Sequence, residues 1–559
     1  MADRTRKQVF VIGLDSAAPA LVERWAGEGK LPVFKRLMET GCYGRLESTA
    51  PALTPPAWTT SVTGVNPGKH NIYDFFRVTP EHGKEIVSSN DRGSKAIWNL
   101  LDEFGGRSII LNLPITYPAE EFNGIMITGM PTPNVNKGFV SPANIRDEIL
   151  RLTNGRQLAV DPHKLMRGEE HEFLQDLEAV TDLISRLTTH LINGSDWDFF
   201  MVVFDDLDRL QHTFWHHMDP NHTFYDKEKA QIYQDAILHF YQFLEEKIED
   251  IISMLDEETV IMIFSDHGMG PVYRNFHINN FFEERGWLKS KKPLFSMKEI
   301  LRSMGLSLER MKLFLDSSGM RVLARRLLPP GVKNYVRKNL PAEGIELEII
   351  DWSKTLDWSN SLAYLSSRTG QGIMINRDNV EDYEAFREEI IESLLNLKDP
   401  ETGRHVVKRV YKKEELFQGP YLNNAPDMLL EPAETYELQE KLGASVFQDV
   451  NVSRVPISAN HQKEGILLLF SKRDLHQGHN LSDVKIADIA PTVLCALGFS
   501  VPRDMDGRVI VEAFDEAFLK NSPVRYSDIS LNMESASESM TSTDEAKVAD
   551  RLRDLGYID

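Results

Sequence analysis

VFVIGLD, Val9 to Asp15, is the stretch on which the fold is decided. A continuous apolar run of this length that ends in a carboxylate reads as a strand buried on both faces. Arg107 to Pro114, Gly124 to Met130, Phe199 to Phe204 and Thr259 to Ser265 have the same form. Helices are expected between them, at Pro19 to Gly27, Val33 to Gly41, Ala96 to Phe104, Asn144 to Leu152, Phe173 to Ile192 and Tyr225 to Leu255. Gly27 and Gly41 are natural helix stops. Strands that are apolar throughout and alternate with helices predict an α/β fold with a mostly parallel central sheet and helices on both faces. Sites in such sheets form beyond the carboxyl ends of strands. Asp15 ends the first run, Asp205, Asp206 and Asp208 follow FMVVF, and Asp266-His267 follow TVIMIFS.

Further along, Trp287 to Lys338 holds thirteen Lys/Arg against three Asp/Glu, has a helical period and is broken by Pro329-Pro330-Gly331. It reads as an inserted basic cap, more simply a solvated cap on an acidic body than a membrane-binding element. Asp351 to Asn376 has the pattern of short strands, and Asp382 to Leu397 that of a helix. Gly465 to Ser471, GILLLFS, is one more buried strand, followed by a helix over Ile486 to Leu497. Ser527 to Asp544 has little to bury and reads as a linker. Val548, Leu552 and Leu555 then form one face of a short tail helix that must dock on the body. The expected division is residues 1–285 and 346–515 for the two parts of the core, 286–345 for the cap and 516–559 for linker and tail.

The net charge of −21 over 559 residues disfavours DNA or RNA as a partner, whereas a small anionic substrate is compatible if metals supply local positive charge. Two cysteines, Cys42 and Cys495, build neither a disulfide framework nor a cysteine zinc site. With no span of about 20 apolar residues and no signal-like leader, a cytoplasmic protein is expected.

The segment Ser48 to Ile72, STAPALTPPAWTTSVTGVNPGKHNI, places Thr54 directly before Pro55-Pro56 and a helix-compatible run. Thr before Pro is a good N-cap, and the helix N-terminus behind it suits an anion such as phosphate. A cap alone is the plainer reading. What changes it is the Asp and His set elsewhere: Asp15, Asp208, His212, Asp266, His267, and His461 in SANHQKEG. Asp208 and His212 are four apart and share a face if DRLQH is helical, although His212 and His216 make a competing pair. Carboxylate and imidazole ligands suit zinc or manganese. Two such ions about 3.5–4 Å apart clamp the attacking and leaving oxygens of an in-line displacement.

These pieces resemble the alkaline phosphatase superfamily, in its branch of type I phosphodiesterases and nucleotide pyrophosphatases. The resemblance is carried by VFVIGLD, APALTPPAWTTSVTGVNPGKHNI, FDDLDRLQHTFW, IFSDHGMG, NHQKEGILLLF and IADIAPTVLCALGFSVPRDMDGRV. It implies an alkaline-phosphatase-like fold, two divalent ions and Thr54 as nucleophile. It further implies that Asp15, Thr54, Asp266 and His267 hold one ion and Asp208, His212 and His461 the other, which leaves His216 out. The chain departs from that pattern at the phosphate-binding Asn downstream of the nucleophile. No Asn follows Thr54 before Asn66, and Ala57 and Trp58 occupy the next turn, Trp58 as packing or as a leaving-group wall.

The function so implied is hydrolysis of a small phosphate ester through a phospho-threonine intermediate. No Arg lies near Thr54 in sequence to neutralise a third phosphoryl oxygen, which leans toward a diester. A phosphomonoesterase or a phosphomutase is the enzymatic alternative, and a non-enzymatic metal-binding scaffold the alternative of another class.

Overall fold

The structure, a computed structural model, describes residues 7–79, 83–135, 137–161, 163–291, 356–442, 445–450, 456–471, 475–533 and 542–554. The basic cap expected at 286–345 lies, from residue 292 on, outside the described residues, as do 534–541 of the linker and Leu555 of the tail.

Seven strands of the first half are β1 (Val9–Leu14), β2 (Cys42–Glu47), β3 (Ser108–Leu111), β4 (Gly124–Ile127), β5 (Val140–Ser141), β6 (Phe199–Phe204) and β7 (Val260–Phe264). All seven join two later strands, Glu464–Phe470 and His479–Lys485, and β1 lies at the centre of the resulting nine-stranded sheet. β1 pairs in parallel with β6 on one side and β7 on the other. Leu14 is level with Phe204, and Gly13 with Phe264. That register brings Asp15, the Asp205–Asp208 stretch and Asp266 to one edge of the sheet.

Alternation along β1 explains the layers. Phe10, Ile12 and Leu14 join one core with the helices at Pro19–Gly27, Glu170–Gly194 and Ala236–Ser253. Val9 and Val11 join the other, with Ala57, Trp58 and Val62 of α1 (Thr54–Thr63) and the helix at Ile489–Ala496. Gly13 is what lets α1 lie so close: a Cβ there would sit 2.4 Å from Trp58 Cη2.

Three details differ from the sequence reading. The Glu464–Phe470 strand is antiparallel to both β7 and β2, an internal reversal that an evenly apolar run does not disclose. The helix expected at Tyr225 to Leu255 is two helices, Lys227–Tyr233 and Ala236–Ser253. The short strands after residue 356 belong to a separate antiparallel sheet. Apart from β8 (Gly268–His277), which pairs elsewhere, it comprises β9 (Ala363–Ser367), β10 (Gly372–Ile375), β11 (Val407–Lys412) and β12 (Met428–Pro432), in the order β9-β10-β12-β11. A third core, which includes Phe276, Trp287, Leu365, Ile390 and Leu430, fills this sheet. The tail helix, Ser542–Asp554, docks as expected: Val548 and Leu552 are buried against Leu53, Ile72 and Phe75, next to the start of α1.

Candidate active site

The nucleophile segment differs from its reading in one respect. Leu53, in extended conformation, is the cap position of α1, and Thr54 is the first helical residue. Pro55 and Pro56 fill the next two positions and have no N–H, and Ala57 N–H donates to Leu53 O at 3.0 Å. The expected row of anion-binding amides is therefore reduced to that of Thr54 itself. The hydroxyl is not used as a cap. Thr54 is completely buried, and its Oγ1 lies 3.3 Å from His267 Nε2.

Asp208 and His212 lie on the helix α2 (Asp206–Met218) and share a face, as their spacing requires. Asp208 Oδ1 is 3.3 Å from His212 Nε2 and 3.3 Å from His461 Nε2. His461 comes from the Ala459–Gln462 strand, which pairs with β8 directly after Asp266-His267. His267 Nε2 is 3.2 Å from Asp266 Oδ2 and 3.6 Å from Asp15 Oδ1. All seven sequence candidates thus meet at one place. Asp208 stands between two sets whose ligand atoms lie within 4.8 Å of one another: Asp208, His212, His461 and Asp15, Asp208, His267.

The imidazoles show what the place is built for. His212 Nδ1 donates to Ala459 O at 2.7 Å, His461 Nδ1 to Ala52 O at 3.1 Å, and His267 Nδ1 to Gly268 O at 3.2 Å. A carbonyl can only accept, so each ring carries its hydrogen on Nδ1 and turns the Nε2 lone pair inward. His212 Nε2 and His461 Nε2 are 3.0 Å apart. Asp15 Oδ1 and Asp266 Oδ2 are buried and accept no hydrogen bond. Inward lone pairs beside buried carboxylates, each ring oriented by a carbonyl, form a donor set that fits divalent cations.

Electrostatics says the same. Burial, then the charges of Asp266, Asp208 and Asp205, pushes the Asp15 carboxyl well above the usual carboxylate range. Burial likewise raises Asp266, with Asp208 adding to it. Burial would also raise Asp208, but in the metal-free protein a protonated His212 beside it, joined by a hydrogen bond from His461, outweighs burial and holds its carboxyl well down. Burial, helped by His461, keeps His267 neutral well below the ordinary histidine range. The next carboxylates along the chain are satisfied differently: Arg209 pairs with Asp205 at 2.6 Å and with Asp206 at 2.9 Å.

Several neighbours carry no motif that would announce them. Trp58 packs in the core, as the plainer reading has it, and in addition donates from Nε1 to Asp15 Oδ2 at 3.2 Å. Ser16 N–H donates to Asp266 Oδ1 at 3.3 Å, and Gln211 Nε2 holds Ser16 through its carbonyl and hydroxyl at 2.9 Å each. His216 turns away, with Nδ1 3.2 Å from Ser458 Oγ, and burial lowers its pKa to about 3. Asn66 is committed elsewhere, accepting from Gly68 N–H at 2.8 Å and donating to Asp506 Oδ2 at 2.7 Å.

The sheet is mostly parallel and carries a carboxylate and imidazole cluster at its strand ends, facing a helix-initial hydroxyl. The family model of type I phosphodiesterase / nucleotide pyrophosphatase matches residues 9–451, and the chain belongs to that family. Comparison with curated proteins gives no match. Among solved structures the chain is similar to phosphonoacetate hydrolase from Sinorhizobium meliloti 1021. The complex with phosphonoformate gives a TM-score of 0.54 and that with phosphonoacetate 0.53, each at 12% identity over 88% of this chain and 96% of that one. Human ectonucleotide pyrophosphatase / phosphodiesterase 5 matches with a TM-score of 0.46 at 12% identity, over 91% of this chain and 100% of that one. At such identities the likeness is one of fold. No helix among the described residues is long and apolar enough to cross a membrane.

Proposed function

We propose that the protein hydrolyses a small phosphate ester with Thr54 Oγ1 as nucleophile and Asp15, Asp208, His212, Asp266, His267 and His461 as the holders of two divalent ions, zinc or manganese. The observation that carries this reading is the buried Thr54 hydroxyl, 3.3 Å from His267 Nε2, set against carboxylate oxygens that accept no hydrogen bond. Divalent ions bound there would supply the positive charge that lowers the hydroxyl pKa and neutralises phosphoryl oxygens. The chain supplies the rest. α1 fixes Thr54 so that Oγ1 points at the cluster, and the stiff first torsion of Thr limits its freedom. The Thr54 amide and the N-terminal end of α1 face a developing negative charge. Trp58 and Ser16 hold the carboxylates of Asp15 and Asp266 in orientation. Attack by Oγ1 on phosphorus expels the alcohol and leaves a phospho-threonine, which water then cleaves to regenerate the hydroxyl.

Acid quench during turnover, followed by mass spectrometry, tests this. Phosphate is expected on Thr54 in the native chain and in Thr54→Ser, and on no residue in Thr54→Ala. Thr54→Ala is expected to remain folded by circular dichroism and to lose activity by about a thousandfold or more. A folded Thr54→Ala protein that hydrolyses its ester at the native rate would remove Thr54 from the reaction.

A further inference from the structure

The recess beside the Thr54 cluster lies where the central sheet meets the β9–β12 sheet. His212, His461 and the Ala52-Leu53 pair line one side, and Arg368 and Gln371 the other. Arg368 lies in the turn between β9 and β10, and that turn is clamped. Thr369 Oγ1 donates to Asp74 Oδ1 at 2.9 Å, Ser367 Oγ donates to the other oxygen of the same carboxylate, and Gly370 N–H donates to Ser367 Oγ at 3.0 Å. Gly370 is required for the approach, since a Cβ would lie 2.5 Å from Asp74 Oδ2. Asp74 is buried and belongs to the segment that follows α1. The stretch of chain that carries Thr54 therefore also fixes the turn that carries Arg368. On the sheet side, Leu430 N–H donates to Gln371 O at 3.0 Å. Arg368 Nη1 pairs with Glu437 Oε1 at 3.5 Å, and both residues border the recess.

A guanidinium is a planar, permanently charged fork that matches phosphoryl oxygens. Held on a clamped turn, it loses little freedom when it binds. Its attraction to a substrate grows with the substrate charge, so a phosphate monoester dianion gains more from it than a diester monoanion. We propose that Arg368 is a substrate-binding cation of this site and that it favours phosphate monoesters over diesters. The proposal rests on the phosphoester-hydrolase reading above. It reverses the lean toward a diester, which rested on the absence of Arg near Thr54 in sequence; folding delivers Arg368 from more than three hundred residues away.

The test measures kcat/KM of the full chain for p-nitrophenyl phosphate and for bis-p-nitrophenyl phosphate, in the native protein and in Arg368→Gln, Arg368→Lys and Lys408→Gln. Lys408 borders a neighbouring recess and serves as a surface control. Arg368→Gln is expected to lower the monoester value by about 10- to 100-fold and the diester value by less than about threefold. Arg368→Lys should recover part of the monoester loss, and Lys408→Gln should leave the ratio of the two values in place. Equal loss on both esters, or no loss on either, would overturn the proposal. Calorimetric binding of inorganic phosphate separates this outcome from failure of the hydrolase reading, because it needs no turnover. If neither ester is cleaved by the native protein, a rise of about tenfold or more in the phosphate Kd of Arg368→Gln still supports the anion-binding role, and an unchanged Kd overturns it.

Discussion

Asp15, Asp266 and His267 stand at the ends of two neighbouring parallel strands, all within 1% of complete burial, whereas the side chains of His212 and His461 keep 14% and 7% of their exposure and come from segments 249 residues apart. The backbone of the first group is placed by sheet register, and to move it would require β1 and β7 to slide in the core. The second depends on one helical turn, on a short strand paired with β8, and on contacts that border an open recess. The difference teaches where rigidity and access reside. The strand-end group lies inside the protein and carries the cost of buried, mutually repelling carboxylates. The helix-and-strand group borders the open recess.

The largest expected effect falls on the strand-end group. In metal-free protein the Asp15 carboxylate is crowded by Asp266 and Asp208 and buried among them. Asp15→Asn relieves that repulsion while it keeps shape. Hydrolysis should fall by about a thousandfold, yet the chelator-treated protein should gain about 1–2 kcal/mol of stability. Denaturant melts of both proteins after chelation check the second half of the statement. A loss of stability in the variant would mean that Asp15 is a structural residue and would erase the distinction between the two groups.

His461→Gln probes the other group. It removes one inward Nε2 from the open side while Asp15, Asp266 and His267 stay in place. Elemental analysis should show about two equivalents of metal in the native protein and about one in the variant, with a rate lower by about a hundredfold. Stability of the chelated protein should change by less than about 1 kcal/mol, because Gln keeps most of the side-chain volume and a donor for Ala52 O. Complete loss of metal would show that the two sets are one inseparable site.

How much of this was readable from the chain follows the same division. Val9 to Asp15 and Thr259 to His267 disclosed both the strands and the ligands, because a buried parallel strand is apolar on both faces and its first polar residue marks the sheet edge. Asp208 and His212 were readable as a helical pair. The position of His461 was not, since nothing local shows that the Ala459–Gln462 strand folds back onto β8 or that the next strand runs antiparallel. Thr54 was readable as a residue at a helix start, but its place one residue inside the helix, with Pro55 and Pro56 removing two amides, was not. Trp58 and Arg368 had no motif at all: one acts through a bond across α1 to β1, the other through a turn clamped by Asp74.

A smaller effect should come from Trp58→Phe. The ring keeps most of its packing against Phe264, but Asp15 Oδ2 loses its donor. Asp15 then has one bond fewer to hold its orientation, and the rate should fall about tenfold with metal content unchanged. An unchanged rate would show that sheet register alone suffices to aim the carboxylate.

The smallest effect concerns another buried imidazole, built in the opposite sense. In the cluster, Nδ1 donates and Nε2 is turned inward. In His70, Nδ1 accepts the Ile72 N–H at 3.1 Å, so the ring hydrogen is on Nε2 and is directed at Thr60 Oγ1, 2.9 Å away. This contact ties α1 to the turn that follows it. Protonation would put a hydrogen on Nδ1 facing the Ile72 N–H, and the contact would break. Burial, with the nearby Arg92 charge adding to it, lowers the His70 pKa to about 3. The unfolded chain titrates near 6.5, so between about 6.5 and 3 the unfolded state binds a proton that the folded state refuses. Stability from this group is therefore complete above about pH 6.5 and declines as the pH falls. From pH 7 to pH 6 the cost should be about 0.7 kcal/mol. Other groups titrate in the same range, among them Asp74, which burial raises to about 6 and which acts with the opposite sign. The quantity to measure is thus the difference in pH dependence between the native protein and His70→Gln, from denaturant melts of each at both pH values. The native protein should lose about 0.7 kcal/mol more than the variant. Equal losses would mean that His70 takes up a proton without breaking its turn, and that α1 is held by the sheet face alone.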